Sequence, residues 1–231
     1  MVGLKVWQEN TKDKKMEPVH SLFVMKFGKA EHIESLVKEG LIYMNCTDYF
    51  RRSTNKDQGD KYEGAEIVHK GNIVSCRSTM LNEKLFCLWH INDKDTPKVK
   101  SIKQVDGTLC ELTIDTRDFI TLADTDFHDF KIALIKNHKE FNKRLINELN
   151  KHYKGRFWCQ QVKYYRPKLA EYKPISPFMK PAKYRTQNEL RYLVLDDVEN
   201  AGKPLEIRIG DISDIAQVFP ISLVKMYAHE Y

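Results

Sequence analysis

The sequence predicts one α+β domain: a split, mixed or antiparallel β-sheet core carrying a few helices. Three observations predict it. Short apolar runs bounded by glycine, proline or polar clusters outnumber the segments with helical period. These runs do not alternate regularly with helices, as a parallel βαβ fold would require. A chain of 231 residues with 42% hydrophobic and 30% charged side chains is long and apolar enough for one sizeable core, and too apolar for a disordered protein.

Residues 1–19 are polar and lysine-rich, an N-terminal arm or lead-in strand ahead of a domain spanning 20–231. Leu22 to Phe27 is a compact apolar run ended by Gly28, hence a strand. Between Lys29 and Glu39 the apolar residues Ile33, Leu36 and Val37 recur at helical spacing, and Gly40 is a natural stop. Leu41 to Asn45 is the next strand. Residues 49–64 mix aromatic, basic and acidic side chains around two glycines with no period, which predicts a loop of the kind that carries function.

Strands follow at 65–76 and 85–92. The run from Leu85 to Ile91 is the most continuous apolar stretch of the middle section and belongs at the centre of a sheet. Further strands are expected at 109–114 and 119–122. Phe130, Leu134, Phe141, Leu145, Ile146 and Leu149 form an apolar stripe that predicts a helix over 126–153. Strand-like residues 160–165 lead into a connector punctuated by Pro167, Pro174, Pro177 and Pro181, expected to be loop. Leu190 to Leu195 is a strand, a turn follows at 199–202, and a strand at 205–209 leads through a capped turn to a short final strand.

Composition removes several function classes. The five cysteines are odd in number, widely spaced and lack any CxxC pair, which excludes a disulfide framework or structural zinc site. The scattered histidines lack metal-ligand spacing, so no metal site is expected. No apolar run approaches the roughly eighteen residues of a membrane span, and the N-terminus lacks a signal-peptide block, so a cytoplasmic protein with no membrane partner is expected. The net charge of +6 permits an anionic partner without demanding one.

The most informative stretch is Gln187-Asn188-Glu189-Leu190-Arg191. Glu189 falls at the first residue of a predicted strand, on a rigid element from which a carboxylate can address a cleft. Arg191 shares its face by strand alternation. The alternative is a surface glutamate simply paired with Arg191. Asp60 and Glu63, in a glycine-flanked loop, could ligate magnesium or dock against Arg51. The basic positions from Lys136 to Arg156 could touch a phosphate backbone or form a solvated face. No phosphate-cradling glycine motif and no nucleophile elbow occurs.

Lys26-Phe27, Gly40-Leu41-Ile42-Tyr43, Asp60-Lys61-Tyr62-Glu63-Gly64, Phe86-Cys87 and Glu189-Leu190-Arg191 stand in an order that resembles ADP-ribosyltransferase-like folds. The details are similar to an uncharacterised bacterial and phage group with that architecture. The resemblance implies NAD as substrate and a protein or nucleic-acid acceptor. It places Glu189 at the transition state, Gln187 on the acceptor and Arg191 beside the carboxylate or a phosphate. It further implies Lys26, with Phe27 beside it, and Arg51 at the diphosphate, and Tyr43 and Tyr184 stacked on the rings. Met25-Lys26-Phe27 stands where arginine-specific transferases carry an Arg and the diphtheria-like class a His, and no Ser-Thr-Ser strand occurs. The rival expectation is a non-catalytic binding module using the basic helix and the 49–64 loop.

Overall fold

A computed structural model describes residues 21–54, 59–92, 99–105, 108–114, 129–166 and 173–220. The 1–19 arm and the expected strand at 119–122 lie outside these residues. The chain is α+β, mostly antiparallel, with few helices. Its strands are β1 (Ser21–Lys29), β2 (Leu41–Cys46), β3 (Ala65–His69), β4 (Asn72–Cys76), β5 (Glu83–Asn92), β6 (Val99–Val105), β7 (Thr108–Ile114), β8 (Phe130–Ile135), β9 (Phe157–Gln161), β10 (Lys163–Tyr165), β11 (Lys173–Pro174), β12 (Met179–Pro181), β13 (Glu189–Leu195), β14 (Leu205–Arg208) and β15 (Ala216–Pro220). The α-helices are α1 (Ala30–Lys38), α2 (Thr47–Arg52) and α3 (His138–His152). No described helix is long and apolar enough to cross a membrane.

The main sheet is forked. Strand β13 pairs with β5 at every position from Glu83 to Trp89 and so occupies most of one edge of it. On the opposite edge β2 pairs at Lys84 and Leu85, and β1 begins at Trp89. The two prongs, β2–β14 and β1–β8–β15, therefore diverge around Phe86, Cys87 and Leu88. A lysine fills the crotch: Lys26 Nζ donates to the Cys87 carbonyl at 2.8 Å and lies 4.8 Å from the Phe86 ring centroid.

One face of this sheet carries the apolar core. Val24, Phe86, Leu88, Leu190, Tyr192 and Val194 pack there against Ile33, Leu36 and Val37 of α1 and Phe141, Leu145 and Leu149 of α3. The turn after α1 is fixed by close backbone approach. Gly40 has φ +63°, and a Cβ there would lie 2.1 Å from the Gly210 carbonyl oxygen, so no other residue fits.

Three expectations change. The helix expected over 126–153 opens as a strand: residues 130–135 lie between β1 and β15, the helix starts only at His138, and 126–128 fall outside the described residues. Phe130-Lys131-Ile132-Ala133-Leu134-Ile135 has too few polar breaks to tell a buried strand from a helix face. Asn137 marks the switch, its side chain accepting the Glu140 N–H at 3.0 Å as an N-cap. The 49–64 loop begins with a helical turn, since α2 runs to Arg52. The proline connector carries the short strands β11 and β12 and a 3-10 helix at Ala182–Gln187.

Candidate functional site

The face of β13 turned away from the helices carries charge. Glu189 and Arg191 alternate with the core residues Leu190 and Tyr192, and both are buried, at 4% and 1% exposure. Arg191 Nε donates to Glu189 Oε1 at 2.6 Å, while its two terminal nitrogens grip Glu63 at 2.6 and 3.1 Å. The Pro177 carbonyl accepts a further bond from Arg191. Lys180, on β12, donates to Glu189 Oε2 at 2.6 Å and to Gln187 Oε1 at 2.9 Å, and stands 3.8 Å from Glu63. The planar guanidinium thus clamps two carboxylates at once, and the lysine closes the ring.

Burial alone would raise the Glu189 pKa, but Arg191 and Lys180 outweigh it and hold the carboxylate far below its usual range. Lys180 and Arg191 show the converse: burial opposes their charge, and Glu189 and Glu63 keep both pKa values raised. Burial, followed by the negative charge of Glu189, pushes the Cys87 thiol up to about 12, so it is no nucleophile. Asp60, 2% exposed, is raised to about 6 by burial and then by Glu63.

Local backbone explains how Gln187 and Glu189 meet one lysine. Asn188 takes a left-handed conformation, φ 35° and ψ 59°, which asparagine tolerates better than most residues. Its carbonyl accepts the His90 N–H at 3.0 Å, and its side chain bonds the His90 carbonyl. The chain therefore turns from 3-10 helix into strand in one residue. The Glu189 N–H donates to the Tyr164 hydroxyl at 2.9 Å, a second fix on the strand mouth.

The expected site residues divide into those that converge and those that do not. Glu189, Arg191 and Gln187 converge, through Lys180. Tyr43, 44% exposed, and the half-buried Phe27 lie on the Glu189 side of their prongs, because their strand neighbours Asn45 and Met25 register with Leu85 and Trp89. Lys26 is on the opposite, helix-covered face, opposite Ala133, and reaches the crotch from there. Burial lowers its pKa, with Cys87 and Glu189 partly compensating. Arg51 turns onto Asp48, with Nε and Nη2 at 3.1 and 2.8 Å from the same oxygen. The Tyr184 hydroxyl donates to the Gly59 carbonyl at 3.1 Å, tying the 3-10 segment to the acidic loop.

Glu63 binds Arg191 rather than Arg51. Among the described residues, no group of three or more His, Cys, Asp or Glu side chains is arranged to hold a metal ion. Lys180 and Asn188 were not anticipated. Lys180 carries no local signal, whereas an asparagine at a strand mouth is a recognisable cue for a left-handed turn.

The basic helix is largely neutralised. Glu140 takes Lys143 and Arg144, Asp214 takes Arg144 at 2.5 Å, and Glu148 takes Lys151. No protein-family model, curated protein or solved structure matches this chain.

Proposed function

We propose that the chain transfers ADP-ribose from NAD to a protein or nucleic-acid acceptor, or hydrolyses NAD, with Glu189 acting on the nicotinamide ribose. The observation that carries this reading is a carboxylate held ionised at the first residue of a central strand, beside a forked sheet. When the bond between nicotinamide and ribose C1′ breaks, its electron pair leaves with nicotinamide and positive charge develops on the sugar. A fixed negative charge beside that carbon stabilises the transition state more than the ground state. Water or an acceptor group then bonds C1′ and gives up its proton.

Glu189 Oε1 is fixed by Arg191, itself locked by Glu63 and Pro177. Oε2 is held by Lys180, which has Glu63 within 3.8 Å as an alternative partner, so this oxygen is the one a ribose hydroxyl would take. Tyr43 offers an exposed ring on the same side as Glu189, and Gln187 and Tyr184 border the cluster.

A second reading has its own observation. Both oxygens of Glu189 are engaged by buried cations, as in an interior keystone, which favours a binding module without catalysis. Titrating NAD into the wild type, Tyr43→Ala and Glu189→Gln by calorimetry, while following nicotinamide release, separates the two. Catalysis predicts binding by the wild type, weaker binding by Tyr43→Ala, and loss of release in a folded Glu189→Gln. Absence of NAD binding by the wild type sinks the transferase reading.

A further inference from the structure

Positive charge is unevenly paired in this protein. On α3, Lys143, Arg144 and Lys151 are taken up by Glu140, Asp214 and Glu148. Residues 157–188 differ: seven are Lys or Arg, and Glu171 is the one acid. In the described part of that stretch Lys163, Arg166, Lys183 and Arg185 are exposed, and no described carboxylate forms an ion pair with any of them.

These cations frame the strand mouth at Glu189. Strand β10 begins at Lys163 and ends beside Arg166, and it runs parallel to β12 with Tyr164 opposite Lys180. The Tyr164 hydroxyl accepts the Glu189 N–H, and Lys180 holds the Glu189 carboxylate. The 3-10 helix that presents Lys183 and Arg185 follows β12 and ends at Gln187, with only Asn188 before Glu189. Tyr184 bonds the Gly59 carbonyl and so brings up the exposed Lys61, which lies 4.9 Å from the Tyr62 ring. Lys183 stands 4.5 Å from the Tyr184 ring, and Asp60 acts on it less than the Tyr184 hydroxyl does.

We propose that Lys61, Lys163, Arg166, Lys183 and Arg185 bind the sugar-phosphate backbone of a nucleic acid and lead it across the Glu189 mouth. Phosphate contacts need exposed, uncommitted cations, whereas a protein interface is centred on apolar or aromatic anchors that become buried. The exposed aliphatic residues Leu81 and Val198 stand at the opposite end of β13, where the Asp196 N–H meets the Asn82 carbonyl. The rings among the cations, those of Tyr62, Tyr164 and Tyr184, are half-buried and leave part of each surface for base stacking. That a bound strand is the ADP-ribose acceptor rests on the transferase reading, whereas the binding does not. On that reading an amino or hydroxyl group of the strand bonds C1′ and releases its proton, as nicotinamide departs with the electron pair.

The test is fluorescence anisotropy of the full chain with labelled single-stranded and duplex oligonucleotides of about 20 residues, over a salt series. If all five cations engage, log affinity should fall against log salt with a slope of about −3.5 for a single strand and about −4.5 for a duplex. The tighter of the two names the form the surface takes. Lys163→Gln, Arg166→Gln, Lys183→Gln and Arg185→Gln should each flatten the slope by about 0.7 to 0.9. Lys143→Gln and Lys151→Gln, on α3, should leave it unchanged. Because the substituted side chains are exposed, these variants should melt as the wild type does. Absence of binding, an equal loss from the α3 variants, or tighter capture of polyglutamate than of either oligonucleotide overturns the surface. Nicotinamide release from NAD, measured with and without the strand, keeps the two ideas apart. Strand binding without NAD cleavage defeats only the transferase reading; NAD cleavage without strand binding defeats only this surface.

Discussion

The two faces of β13 are built by opposite physics. Leu190, Tyr192 and Val194 bury apolar surface against two helices, a non-directional gain that tolerates repacking. Glu189 and Arg191, on the other face, are equally buried but depend on a closed set of charge-assisted bonds from three separate chain segments. The apolar face loses stability in proportion to what is removed. The charged face loses little or nothing if replaced whole, and a great deal if one member is taken. A network with those economics is weak evidence for stability and better evidence for a site.

The largest effect should come from Arg191→Met, which strands two buried carboxylates and should cost about 3–5 kcal/mol in chemical denaturation. Replacing Glu63, Lys180, Glu189 and Arg191 together with apolar residues sharpens the contrast. That variant should recover most of the loss, and on the proposed transferase reading it should not cleave NAD; failure to recover would make the network primarily structural. On the other face Leu190→Ala should cost about 2–5 kcal/mol through the cavity it leaves, with no change in the pH dependence of unfolding.

Asp60→Asn should be intermediate and of opposite sign. Asp60 is raised in the folded state, so its protonation stabilises the fold most below pH 4, and that contribution fades as pH rises through about 6. The variant should therefore exceed the wild type at pH 7 by no more than about 3 kcal/mol and converge with it near pH 4. Glu189 works in the other direction: its depressed pKa adds stability above the usual carboxylate range that is lost on strong acidification. The smallest effect is expected for Arg144→Gln, whose pairs with Glu140 and Asp214 sit at the surface and should be worth under about 1 kcal/mol by thermal melts in low and high salt.

Much of this architecture is legible in the chain. The continuous run from Leu85 to Ile91 is indeed central, since both edges of β5 are paired, and the α1 stripe and its Gly40 stop are where periodicity puts them. The shared face of Glu189 and Arg191 follows from two-residue alternation. The misread helix shows the limit: Phe130 and Leu134 continue the stripe of α3 by coincidence, and only the Asn137 cap separates them. The burial of the cluster was not legible, because Glu63 comes from a turn, Lys180 from the small β10–β12 sheet and Arg191 from β13, and no local pattern announces their meeting. A glutamate beside an arginine reads as surface until the covering segment is known.

The fork also dictates an order of events during synthesis. Glu63 and Arg191 lie 128 positions apart in the chain, and β13 is the strand that completes the far edge of β5. At translation rates of 5–20 residues per second, the acidic segment and that open edge wait on the order of ten seconds for their partners. Until then an apolar strand with unpaired backbone groups is available to other nascent chains. Arrival of β13 is thus the step that closes the edge, and chains halted before Glu189 should be the aggregation-prone fragments of this protein.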